Sequence, residues 1–104
     1  MDWKRRENKG LIDAVLALKS RNEAERFLRD LLTEEEIEEF TRRFQTAQLL
    51  SDSVPYSQIR KKTGLSTTTI ARVSKWLKGN EGGYRLIIAR LHHHASVSRG
   101  RGLR

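Results

Sequence analysis

Residues 56–78 read Tyr56-Ser57-Gln58-Ile59-Arg60-Lys61-Lys62-Thr63-Gly64-Leu65-Ser66-Thr67-Thr68-Thr69-Ile70-Ala71-Arg72-Val73-Ser74-Lys75-Trp76-Leu77-Lys78. The stretch predicts a short helix that begins near Ser57 and ends at Thr63. Gly64 supplies the left-handed backbone conformation that stops a helix within one residue, because a residue without Cβ reaches positive φ at little steric cost. Leu65 is an apolar plug for the turn, and Ser66 is a strong N-cap for a second helix. Two helices joined by a short glycine turn form a helix-turn-helix, here about residues 56–78. That arrangement offers its second helix to the major groove of DNA.

The faces of the second helix test this reading. At about 100° per residue, Ile70, Val73 and Leu77 fall on one side, while Thr68, Ala71, Arg72 and Lys75 fall on the other. The first set is a core stripe. The second is small and hydroxylated near the helix start, where a groove-reading helix approaches base edges, and cationic farther along, where phosphates lie. An ordinary surface helix carries glutamates among its lysines. Three successive threonines are also poor helix formers, so propensity does not explain them. Trp3 and Trp76 are candidates for stacking on bases, but Trp76, beside Val73 and Leu77, reads as core.

Charge is distributed to match. Residues 53–104 hold one acid, Glu81, against eleven Lys and Arg, whereas residues 1–52 hold twelve acids against ten. From Ser53 to Asn80 there is no Asp or Glu at all. One-sided charge of this kind suits a polyanionic partner, with a solvated basic face or an acidic lipid surface as the other readings.

Upstream, Leu11, Ile12, Val15, Leu16 and Leu18 recur at helical spacing and predict a helix over about Glu7 to Lys19. Ser20-Arg21-Asn22-Glu23 fits a capping box, in which a serine hydroxyl and a glutamate satisfy helix-start amides. A second helix follows, expected to bury Ala24, Phe27, Leu28, Leu31 and Leu32. Thr33 to Glu36 repeats the capping pattern before a long third helix, Glu34 to about Ser51, with Ile37, Phe40, Phe44, Ala47 and Leu50 along one face. Ser51 to Pro55 breaks it, since Pro55 lacks an amide hydrogen and pushes Val54 towards an extended backbone. After a turn at Lys78 to Gly83, a last helix carries Tyr84, Ile87, Ile88 and Leu91. Residues from about 92 to 104 are expected to be a basic flexible tail.

A chain of 104 residues is expected to be one domain, 1–104, with a small core that a second copy would enlarge. No apolar run approaches the roughly 18–20 residues that cross a bilayer, so no membrane is expected. The N-terminal segment has basic residues but no following apolar stretch and cleavage site, which argues against a secretory signal and for the cytoplasm. Absence of cysteine removes disulfides, thiolate nucleophiles and thiolate-held zinc. An enzyme reading finds no phosphate-cradling glycine loop and no nucleophile with a base and an orienting acid. His92-His93-His94 is a candidate metal tract, but no acid or cysteine lies nearby in sequence, and successive helical residues diverge, so no metal or other cofactor is expected. Arg99, Arg101 and Arg104 would touch the DNA backbone as a mobile arm or merely add solubility.

Leu32-Thr33-Glu34-Glu35-Glu36 opening a long helix, Arg42-Arg43 within it, Ile59 to Gly64, and Thr69-Ile70-Ala71-Arg72 running to Leu77-Lys78 resemble the Trp repressor superfamily over roughly residues 10–90. The match is nearer to its poorly characterised Trp-repressor-related branch, to which Leu11–Leu18, Phe27–Leu32 and the Gly79–Tyr84 turn also correspond. That resemblance implies an all-α protein of about six helices forming an intertwined homodimer, which would bind a palindromic duplex with half-site centres about 34–36 Å apart. It puts Thr67, Thr68 and Ala71 at base-facing positions and Arg60 at a cationic contact on the preceding helix. Ser57 takes a further contact position, and Arg72 one near both phosphate and corepressor.

The resemblance also implies a tryptophan corepressor held between two arginines. Arg43 and Arg72 take those positions and Thr33 a third. Val73, however, stands where the repressor has glycine, and Trp76 where it has a small polar anchor. Overpacking of that kind costs about 1–3 kcal/mol or more. Thr33, Arg43 and Arg72 are therefore read as vestigial, the two arginines pairing with acids or phosphates, and free tryptophan is not expected to regulate the chain. The function expected is sequence-specific binding of double-stranded DNA by a transcriptional regulator, a repressor that blocks a promoter. The alternatives are a structural or replication-associated DNA-binding module, since superfamily relatives include the DNA-binding part of bacterial replication initiators, and a protein-interaction adaptor.

Overall fold

The computed structural model describes the backbone of residues 1–102 and the side chains of residues 1–93. Among the described residues the fold is all-α, with α1 (Arg6–Ala17), α2 (Arg21–Leu31), α3 (Glu34–Ser51), α4 (Tyr56–Thr63), α5 (Thr67–Lys78) and α6 (Gly83–Gly102). The chain divides into two compact units, Met1–Ile37 and Glu38–Arg104.

In the first unit the helix starts lie where the hydroxyl–glutamate spacing predicts them. The Ser20 hydroxyl accepts from the Glu23 amide at 3.1 Å, and Glu23 takes the Lys19 amide at 3.0 Å. At Thr33 the box is reciprocal: Glu36 N donates to Thr33 Oγ1 at 3.1 Å, and Thr33 N donates to Glu36 Oε1 at 3.0 Å. Two otherwise orphaned amides are thereby satisfied. Burial departs from expectation. No residue of α1 or α2 is buried, and Leu16 and Leu31 are 76% and 49% exposed. The stripe from Ala24 to Leu31, read as core, is at most half-buried. A helix buries an apolar stripe only against another apolar surface.

In the second unit α3 contributes Ala47 to a buried cluster with Val73 of α5 and Ile88 of α6, flanked by Phe44, Leu50, Leu77 and Tyr84. The Phe44 and Tyr84 rings lie 6.4 Å apart, tilted by 33°. α3 ends in a Schellman motif: Val54 N donates to Leu49 O and Ser53 N to Leu50 O, each at 3.0 Å, with Ser53 at φ 60°. That position ordinarily belongs to glycine. α4 packs on α5, and Ile59 and Ile70 are fully buried, a burial worth about 1.5–3 kcal/mol for each side chain.

The sequence reading ends the last helix near Leu91, yet α6 continues to Gly102. His92 to Ser98 contains no proline to interrupt the helix. The side chains of His94, Arg99, Arg101 and Arg104 lie outside the described residues, and with them the expectation of an arginine arm.

Candidate nucleic-acid interface

The turn between α4 and α5 is built from local hydrogen bonds. Gly64 closes α4 at φ 74°, ψ 3°, its amide donating to Arg60 O. The Thr63 hydroxyl donates to Ile59 O at 2.8 Å and accepts from Leu65 N at 3.2 Å, so one buried side chain ties the helix end to the turn. Ser66 then caps α5: its Oγ accepts from the Thr69 amide at 3.2 Å and lies 3.0 Å from the Thr69 hydroxyl. Thr69 is thereby engaged locally, while Thr67 and Thr68 are exposed.

The two faces of α5 separate as the spacing predicts. Ile70 is 0% and Val73 3% exposed, with Leu77 half-buried against the core. Thr67, Thr68, Ala71, Arg72 and Lys75 are exposed. Ser57 and Arg60, also exposed, lie on α4 beside the turn, around a hollow of about 630 Å³ that Lys61, Gly64, Leu65 and Ser66 complete. Lys61 is absent from the contacts chosen from sequence. Its place in the acid-free stretch was the available signal, but only the folded turn brings it to the same hollow as Arg60. Among the described residues no ion pair engages Arg60, Lys61, Lys62, Arg72, Lys75 or Lys78. An exposed cationic surface beside small hydroxylated side chains is suited to phosphates and base edges, although Glu39 and Glu81 line the cleft that Arg72 borders.

Two of the three corepressor-like positions share a cleft. Arg43 and Arg72 line one cleft of about 970 Å³, with Phe44, Val73, Trp76 and Tyr84. Thr33 belongs to the first unit, where its hydroxyl is the cap of α3. Arg43 is held by Glu39 at 2.8 Å, an i,i+4 pair, and its guanidinium lies 5.6 Å from the Phe40 ring centre. Trp76, read as core, is 62% exposed. Sequence adjacency to Leu77 misled: on the helical wheel Trp76 is turned about 100° from Leu77, on the flank next to Arg72.

The reading that no acid stands near the histidines is also corrected. Asp52, at the end of α3, lies 3.9 Å from His92 Nε2 on α6. A long-range contact of this kind has no sequence signature.

Known proteins share this fold. The YerC protein of Bacillus subtilis, itself uncharacterized, is 35% identical over 81 residues, 78% of each chain. The crystal structure of a TrpR-like protein from Eubacterium eligens superposes with a TM-score of 0.81 at 38% identity, covering 86% of this chain and 93% of that one. A structure from Staphylococcus aureus gives 0.80 at 33% identity, covering 88% and 95%. The family profile described as Trp repressor protein matches residues 6–92. With most of its length matched, a helix-turn-helix at residues 56–78 and relatives of the same fold, the chain belongs to the Trp repressor protein family of DNA-binding regulators.

Proposed function

We propose that this protein binds a specific double-stranded DNA site through α5 and represses transcription from the promoter that contains it. The observation that carries the reading is the division of α5: Ile70 and Val73 are buried, while Thr68, Ala71, Arg72 and Lys75 are exposed along one side. Thr67, Thr68 and Ala71 contact base edges. Arg72 and Lys75 neutralise phosphates, and Ser57 and Arg60 hold the backbone on the α4 side.

The chain acts in the cytoplasm as a homodimer on a palindromic site. Support for the dimer comes from α1 and α2, which bury no residue although Leu11, Ile12, Val15, Leu16, Leu28 and Leu31 form their apolar stripes. An apolar surface of that extent is rarely left to water. A second copy covers it and completes one domain from the paired chains.

Free tryptophan does not control binding. Arg43 is already paired with Glu39, and Val73 and Trp76 occupy the wall where an indole ring would need room and a polar anchor.

The decisive experiment selects bound duplexes from a random pool and then measures affinity for the winner and a scrambled duplex at matched salt. Specific regulation requires tighter binding to the selected duplex. Equal affinities at every salt concentration refute it, and binding clustered at a replication origin across a genome favours the replication-associated alternative.

A further inference from the structure

The recognition helix is short, twelve residues, and its far end would fray unless something held it. The last four carbonyls of any α-helix have no partner within the helix. In α5 these belong to Lys75, Trp76, Leu77 and Lys78. The Gly79 amide takes Trp76 O at 3.2 Å. Leu77 O receives the guanidinium Nη1 of Arg85, from the first turn of α6. Arg85 reaches it by folding back over the turn, beside Gly82 at φ 73°, where an added Cβ would stand 3.2 Å from the Arg85 Nη2.

From this geometry we propose that Arg85 is a positioning residue for DNA reading: it clasps the C-terminal end of α5 to α6 and so sets the angle at which α5 meets the groove. The inference rests on the reading of α5 as the DNA-contacting helix. Its physical content is the difference between two kinds of contact. Long, flexible lysine and arginine side chains follow a phosphate through small shifts of their helix. Threonine and alanine against base edges have no such reach and depend on the helix being held to a fraction of an ångström. A cation at a helix C-terminus also meets the negative end of the helix dipole, which favours the clasp as a charge-assisted bond. Leu77, the residue whose carbonyl is held, also packs its side chain on the core, so the clasp and the buried cluster fix the same point of α5 from two sides.

The test compares the wild type with R85A, R85K and G82A on a selected duplex and on a scrambled one, across a salt series. Gly82→Ala crowds the Arg85 guanidinium without removing its charge and also strains the turn at φ 73°, so it is read only beside R85A. The expected result for R85A and G82A is a loss of roughly three- to tenfold in affinity for the selected duplex, the scale of one charge-assisted hydrogen bond. Affinity for the scrambled duplex and the salt slope stay as in the wild type, and R85K recovers part of the loss. A drop of about one unit in salt slope for R85A would make Arg85 a phosphate contact and overturn the proposal. Unchanged discrimination between the duplexes would overturn it as well. Should the wild type itself discriminate no duplex, the reading of α5 fails separately, and amide exchange then decides the clasp. Faster exchange at Trp76 to Gly79 in free R85A supports it, and unchanged exchange refutes it.

Discussion

Replacing Lys75 and Thr68 one at a time asks whether α5 divides its labour between phosphates and bases. The two residues lie seven positions apart on the same exposed side, about 10 Å along the axis at 1.5 Å per residue. Thr68 is in the first turn and Lys75 in the last turn of the helix, and both are clear of the buried cluster, so neither change should unfold the protein. A lysine that neutralises one phosphate contributes about 0.9 to the slope of log affinity against log salt. Raising salt about fourfold, from 50 to 200 mM, therefore weakens the wild type by roughly 3.5-fold more than K75A. The loss in K75A should be nearly the same for a selected and a scrambled duplex. T68A should keep the wild-type slope and lose roughly two- to tenfold for the selected duplex, the range for one hydrogen bond of about 0.5–1.5 kcal/mol. Fluorescence anisotropy of labelled duplexes at four or five salt concentrations measures both quantities together. If the two variants shift slope and discrimination alike, the division of α5 into reading and positioning residues is wrong.

Three further outcomes follow from the same geometry. Ser53→Gly should raise stability by about 0.5–1 kcal/mol in urea denaturation, because Ser53 holds φ 60° at the Schellman position of α3; a lower midpoint would mean its side chain contributes more than its backbone costs. Leu16→Glu places a charge in the exposed stripe of α1, and sedimentation should show a dimeric wild type becoming a monomer or unfolding; a wild type that is monomeric at micromolar concentration ends the dimer proposal. Millimolar tryptophan should leave the melting temperature of the wild type unchanged, whereas a ligand at a hundred times its Kd would add about 2.7 kcal/mol of stability.

Much of this protein was legible before folding because its signals are local. A serine or threonine three residues before a glutamate marks a helix start at Ser20 and at Thr33 through bonds that span one turn. Gly64 marks a helix end by its own backbone freedom, and the faces of α5 follow from a rotation of about 100° per residue. Tertiary structure alone decided which side chains meet across a turn or between helices. It brought Asp52 to His92, Lys61 to the hollow beside Arg60, and Arg85 to Leu77 O. It turned Trp76 out to solvent, and left α1 and α2 without a buried residue. Periodicity says that a stripe is apolar; which surface covers it is encoded in no local pattern.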